Sequence, residues 1–128
     1  MNKTILFILI FVTLISSAVI PQSKILITMD INQTDHLKAY GITYRALTKA
    51  YKADWLLNYR GGSFLIDYSD ELASECRLEN VTFESVTLSQ ASEIYAFVQS
   101  EENNMDAIRL EKAPKIAVYV PPGFQPWD

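Results

Sequence analysis

This sequence of 128 residues contains few of the residues that catalytic and metal-binding motifs require. It has one cysteine, Cys76, one histidine, His36, and four glycines. A single cysteine excludes a disulfide within the chain. Asp30 and His36 alone fall short of a metal-ligand set, so we predict no metal and no cofactor. The Gly61-Gly62 pair matches neither a dinucleotide fingerprint nor a phosphate-binding P-loop.

Positive charge is also scarce. The chain has 11 Lys and Arg residues against 15 Asp and Glu residues, for a formal net charge of −4. Nucleic acids and anionic membrane surfaces bind proteins that present a basic face. We therefore expect neither of them as a partner, which leaves a small molecule as one possible ligand. The sequence leaves the oligomeric state open.

The only long hydrophobic run lies at the start of the chain. Lys3 precedes an almost unbroken apolar stretch from Ile5 to Ile15, and the small residues Ser16-Ser17-Ala18 follow. This order is typical of a secretory signal peptide, and the run is shorter than the ~20 residues that a transmembrane helix needs. We predict a signal peptide over residues 1–18, with cleavage between positions 18 and 23 and export to the periplasm or the outside. A transmembrane anchor is the alternative.

Apolar runs and amphipathic segments alternate after this leader. Lys24–Met29 is a continuous apolar run, which is typical of a strand covered on both faces. A helix of about five turns is predicted next, capped by Asn32 or Thr34, with Gly41 allowing close approach to the sheet. Further strands are predicted at 53–59, 63–66 and 81–86, and further helices at 69–78 and after Thr87. This order predicts a three-layer α/β fold with a mostly parallel sheet, Rossmann-like or flavodoxin-like.

Pro114 interrupts the pattern near the end of the chain. Lys115–Val120 (KIAVYV) has the composition of another buried strand and is similar to KILITM at Lys24. A parallel strand needs a crossover helix to cover it, which the remaining residues do not supply. We therefore predict an α/β domain over residues 24–113 and the truncated start of a second α/β domain over 114–128. The alternative is a complete domain with KIAVYV as its last strand.

Polar side chains follow the first two predicted strands. In an open parallel sheet, ligands bind outside the carboxyl ends of the strands. Arg60 is the strongest single candidate, because a guanidinium group grips a carboxylate or phosphate with two hydrogen bonds. The alternative is that these residues cap the helix and pair with one another. The predicted ligand-binding residues are Asp30, Gln33, Thr34, His36, Asn58 and Arg60.

No complete catalytic constellation is visible, so we predict no catalytic residue and leave open whether the chain is part of an enzyme. Cys76 has no flanking glycine to form a nucleophile elbow and no histidine nearby in the sequence. We interpret it as a small buried hydrophobic residue. His36 is the only candidate general base, and without an assigned partner it is interpreted as a cap or surface residue.

Four stretches carry a family resemblance: KILITMD, DHLKAYGITYRAL, DWLLNYRGGSF and KIAVYVPPGFQPWD. They resemble the N-terminal part of exported bacterial proteins, typical of Bacteroidetes, that are labelled "asparagine synthetase B". The resemblance implies a longer protein that continues into an amidotransferase-type α/β segment. A glutamine-dependent asparagine synthetase needs a first-residue cysteine and a Ser-Gly-Gly-x-Asp-Ser loop. This chain has Asn2 and Arg60-Gly61-Gly62-Ser63 instead, so no catalytic residue is transferred.

Three functions remain open at this point. The leading hypothesis is an exported α/β module that binds a small carboxylate or amide compound. The second is an amidotransferase-like or hydrolytic enzyme whose catalytic residues lie beyond residue 128. The third is a structural or interaction domain, indicated by the tyrosine-rich face of the first helix.

Overall fold

The computed structural model describes residues 23–119 and Gly123. The predicted signal peptide lies outside the described residues, as does most of the segment after Tyr119. Among the described residues, no helix is long and apolar enough to cross a membrane.

Residues 23–119 contain five strands and three α-helices in the order β1-α1-β2-β3-α2-β4-α3-β5. Short 3-10 turns occur at Tyr59–Gly61 and Glu101–Asn103. The bounds are β1 Ser23–Ile27, α1 His36–Thr48, β2 Ala53–Leu57, β3 Ser63–Asp67, α2 Asp70–Leu78, β4 Glu84–Thr87, α3 Leu88–Val98 and β5 Asp106–Leu110.

The sheet has the strand order β4-β1-β3-β2-β5, and every neighbouring pair is antiparallel. The predicted mostly parallel sheet, Rossmann-like or flavodoxin-like, is therefore wrong. The physical reason is the short turn between β2 and β3, which returns the chain directly and leaves no length for a crossover helix. The first six elements form the βαββαβ arrangement of ferredoxin-like domains, to which α3 and β5 are added.

Helices cover both faces of this sheet, which explains why the buried part of β1, Ile25 to Ile27, is apolar on both faces. Ile25 and Ile27 belong to a core cluster with buried residues of α1 and α2. Leu26 points to the other face, where it packs in a second cluster with residues of α3 such as Ala91 and Val98. A strand buried on both faces loses the apolar–polar alternation of an ordinary antiparallel strand. The same apolar run is thus compatible with either sheet type.

The helix starts follow local capping chemistry. Asp35, rather than the predicted Asn32 or Thr34, caps α1, because its side chain accepts a hydrogen bond from the Lys38 backbone N–H. The capping box that Thr87 and Gln90 form at the start of α3 is present as predicted from their spacing. Ion pairs from Arg45 and Lys49 to carboxylates of α2 join the first two helices.

The strand predicted near the end of the chain is wrong. Residues 115–119 of the predicted KIAVYV strand form no strand, and Ile116, Val118 and Tyr119 are 74%, 82% and 82% exposed. The second domain predicted over residues 114–128 is described only at residues 114–119 and Gly123, and it stays a prediction. Within residues 23–119 the last strand is β5, which sequence reasoning missed because charged side chains interrupt its short apolar pattern.

Candidate functional site

The predicted ligand-binding residues lie around two loops that meet at one end of the strands of the sheet. The loop after β1 and the turn after β2 are joined by a hydrogen bond of 3.1 Å from the Met29 N–H to the Arg60 carbonyl oxygen. Arg60 Nε lies 3.0 Å from Asp30 Oδ2, and Arg60 Nη1 lies 2.7 Å from Glu84 Oε1. The structure therefore brings Asp30 and Arg60 together. Glu84 is a third member that sequence reasoning did not identify.

The positive charge of Arg60 is paired with both of these carboxylates. Hydrogen bonds to Glu84 and Asp30 raise the pKa of the Arg60 guanidinium. The Asn32 backbone N–H, together with Arg60, lowers the pKa of Asp30. One cation between two anions carries a local charge of −1, so this arrangement disfavours an incoming carboxylate.

Gln33 and Thr34 join the loop after β1 to the chain before β4. Gln33 is only 5% exposed. Its Nε2 donates to the Thr28 and Thr82 carbonyl oxygens at 2.7 and 3.0 Å, and its Oε1 accepts from the Thr82 N–H at 2.9 Å. The Thr34 hydroxyl donates to the Asn80 carbonyl oxygen. Both side chains therefore hold loops together.

The remaining two residues also have protein partners. His36 Nε2 lies 3.1 Å from the Met29 carbonyl oxygen. Asn58 Nδ2 donates to the Asn104 carbonyl oxygen at 2.9 Å, which directs Asn58 towards the chain before β5 and separates it from the other five. All six side chains thus contribute to loop structure, and their role in ligand binding stays a prediction.

A different site is present on the face of the sheet that α1 covers. It is a groove of about 590 Å³ between α1, the sheet and the chain that follows β5. We call it the aromatic groove. Its lining residues are Tyr40, Gly41, Thr43, Tyr44, Leu47, Trp55, Phe64, Leu110, Lys112, Pro114 and Ile116.

Aromatic rings build the walls of this groove. The Trp55 and Phe64 rings stack with their centroids 6.2 Å apart and their planes 21° apart. The Tyr40 ring meets the Phe64 ring edge-on, at 5.5 Å and 73°. Trp55 Nε1 donates a hydrogen bond of 3.1 Å to the Gly62 carbonyl oxygen. The neighbouring strands and this hydrogen bond thus fix the position of the indole ring.

Gly41 has no side chain to occupy the α1 side of the groove. The sequence predicted that this glycine permits close helix–sheet approach, but a Cβ built there meets only the Arg45 side chain, at 3.6 Å. That is an ordinary contact, so packing does not require glycine. Its effect is to leave open the part of the groove that a larger side chain would fill.

Sequence reasoning identified part of the aromatic groove without recognising it. The tyrosine-rich face that the sequence predicts for the first helix contains Tyr40 and Tyr44, which both line the groove. Recognising a groove also required knowing that β5 lies beside β2, and this strand was not predicted.

Comparison with known proteins adds no relative: no family model, no curated protein and no solved structure matches this chain. The resemblance to proteins labelled asparagine synthetase B therefore stays a prediction.

Cys76 is fully buried on the α2 side of the core, where burial raises the pKa of its thiol to about 11. Because the thiolate is the reactive species, we expect native protein at pH 8 to react with a disulfide reagent at least about a hundredfold more slowly than protein unfolded in urea. Absorbance of the released thiol measures both rates. Rapid stoichiometric labelling of the native protein would contradict the buried position.

Proposed function

We propose that this protein is an exported module that binds a small, flat and largely apolar molecule in the aromatic groove. The observation that carries the proposal is the groove itself, about 590 Å³ in volume and lined by four aromatic side chains. Ligand sites of proteins are concave, mostly apolar and typically 300–1,000 Å³, with a small number of polar groups. The aromatic groove meets each of these conditions.

The lining supports binding of a planar ring system. Trp55, Phe64 and Tyr40 are already held in mutual contact by the fold, so binding requires little ordering of side chains. Aromatic pairs contribute about 0.5–1.5 kcal/mol beyond the apolar area that they bury. A ligand with one or two fused rings fits this surface.

The loops around Arg60 support small-ligand binding less well than the groove does. Their polar side chains are hydrogen-bonded to one another or to backbone groups. A ligand would have to displace those partners and replace each hydrogen bond, which costs binding free energy. The groove offers apolar surface without such competition.

Titration of isotopically labelled protein with indole tests the proposal. We expect saturable chemical-shift changes in wild type and at least a tenfold weaker affinity in Gly41→Leu, because the added side chain fills the groove. Leucine also has a better helix propensity than glycine, so the variant is expected to stay folded. Circular dichroism and the urea unfolding midpoint check that expectation.

Lys38→Leu is the matched control. It adds the same side chain to the same helix at an exposed position that pairs with Asp35 and lies outside the groove lining. We expect it to bind indole as wild type does. Equal affinities in Gly41→Leu and wild type would contradict the proposed site.

A further inference from the structure

Lys112 is the only charged residue among those that line the aromatic groove. It lies just after β5, on the chain that closes one side of the groove. The lysines Lys24, Lys38 and Lys49 each form an ion pair with a carboxylate. Within residues 23–119, no such pair involves Lys112.

The other cation near the groove is already neutralised. Arg45 Nη1 lies close to the position that a Gly41 side chain would occupy. Its guanidinium group pairs with Glu75 of α2 and with Glu79 directly after α2, however. Lys112 is therefore the cation that remains to interact with a bound molecule.

We propose that the ligand of the aromatic groove is an aromatic carboxylate, with its ring against Trp55, Phe64 and Tyr40 and its carboxylate paired with Lys112. This inference rests on the proposed function and adds the charge of the ligand. A mostly apolar groove with one cation complements a mostly apolar molecule with one anionic group. The interaction is stronger beside an apolar wall than in open water, because the effective dielectric constant is lower there.

The groove favours a carboxylate over a phosphate. A phosphate group carries nearly two negative charges and is held in proteins by several donors, often including arginine forks or helix N-termini. The aromatic groove supplies one ammonium group and the hydroxyls of tyrosine and threonine. The chain also has a net charge of −4, which opposes a doubly charged ligand.

The test compares indole-3-acetate with indole-3-acetamide, which differ in charge and are nearly equal in shape. We expect wild type to bind the carboxylate about fivefold or more tightly than the amide at low salt. In Lys112→Met this ratio is expected to fall to about one. Lys115→Met is the matched control, since Lys115 is a nearby exposed lysine outside the groove lining, and it should keep the wild-type ratio.

The outcomes separate this inference from the proposed function. Equal affinities of wild type for the two compounds, or an unchanged ratio in Lys112→Met, would overturn the carboxylate assignment. If Gly41→Leu then still abolished binding of both compounds, the groove would stand as a site for uncharged ligands. Absence of binding of either compound to wild type would overturn the carboxylate assignment together with the proposed function.

Discussion

Replacing Arg109, whose side chain is 52% exposed, by methionine is expected to lower the free energy of unfolding by about 1–3 kcal/mol at neutral pH. Arg109 on β5 pairs with Asp54 on β2, whose side chain is only 6% exposed. The Tyr95 hydroxyl of α3 donates a hydrogen bond to the other carboxylate oxygen. Burial, together with Asp54, raises the pKa of Tyr95, so the phenol stays a neutral donor. Methionine keeps the length of the side chain but leaves a buried carboxylate without a cation.

A double variant identifies the cause of this loss. The variant Arg109→Met, Asp54→Asn removes the unpaired charge and should recover a large part of the stability, because the amide oxygen still accepts the Tyr95 hydrogen bond. Urea unfolding followed by circular dichroism measures the stability of the single and the double variant. Equal stabilities of the single variant and wild type would show that Asp54 does not depend on Arg109.

The second large effect is expected for Gly61→Ala, with a loss of at least about 3 kcal/mol in the free energy of unfolding. Gly61 has φ of +82°, and a Cβ built there lies 2.2 Å from the Met29 carbonyl oxygen. The obstacle is backbone, so it cannot move aside as a side chain does. Alanine would therefore force apart the loop after β1 and the turn after β2, and weaken the Met29–Arg60 hydrogen bond.

Gly41→Ala is the matched control for the same chemical change. Gly41 lies inside α1, where an added Cβ makes only an ordinary contact of 3.6 Å. We expect a gain of about 0.5–1 kcal/mol, because alanine has the better helix propensity and restricts the unfolded chain. The two variants should thus move the urea midpoint in opposite directions. A stable Gly61→Ala protein would mean that the two loops do not pack as described.

The sequence contained enough information for most elements but not for their arrangement. The three helices and the strands β1 to β4 all fall within or near segments that were predicted. The sheet type failed because β1 is apolar on both faces, a pattern shared by parallel strands and by antiparallel strands covered on both sides. The turn at Arg60-Gly61-Gly62 was the better signal, since so short a connection between two strands indicates a hairpin.

The candidate site, like the fold, was predictable from the sequence only in part. Asp30 and Arg60 meet because β1 and β2 run in the same direction, so that the loops after them lie at one end of the sheet although β3 lies between the strands. This ion pair matches the alternative that these residues pair with one another. The contact that the sequence could not supply is Glu84, which belongs to a strand distant along the chain. The aromatic groove depends in addition on β5, a strand with only weak apolar alternation. Long-range packing of this kind cannot be inferred from local periodicity.

The most direct test of the central claim is a map of the backbone amide shifts caused by indole-3-acetate in wild-type protein. The aromatic groove and the loops around Arg60 are built from different residues, so one spectrum series separates them. We expect the largest saturable shifts at Tyr40, Gly41 and Tyr44 of α1, Trp55 of β2 and Lys112. Saturable shifts confined to Asp30, Arg60 and Glu84, with none at the groove, would contradict the claim. They would indicate that the ligand binds at the loops around Arg60.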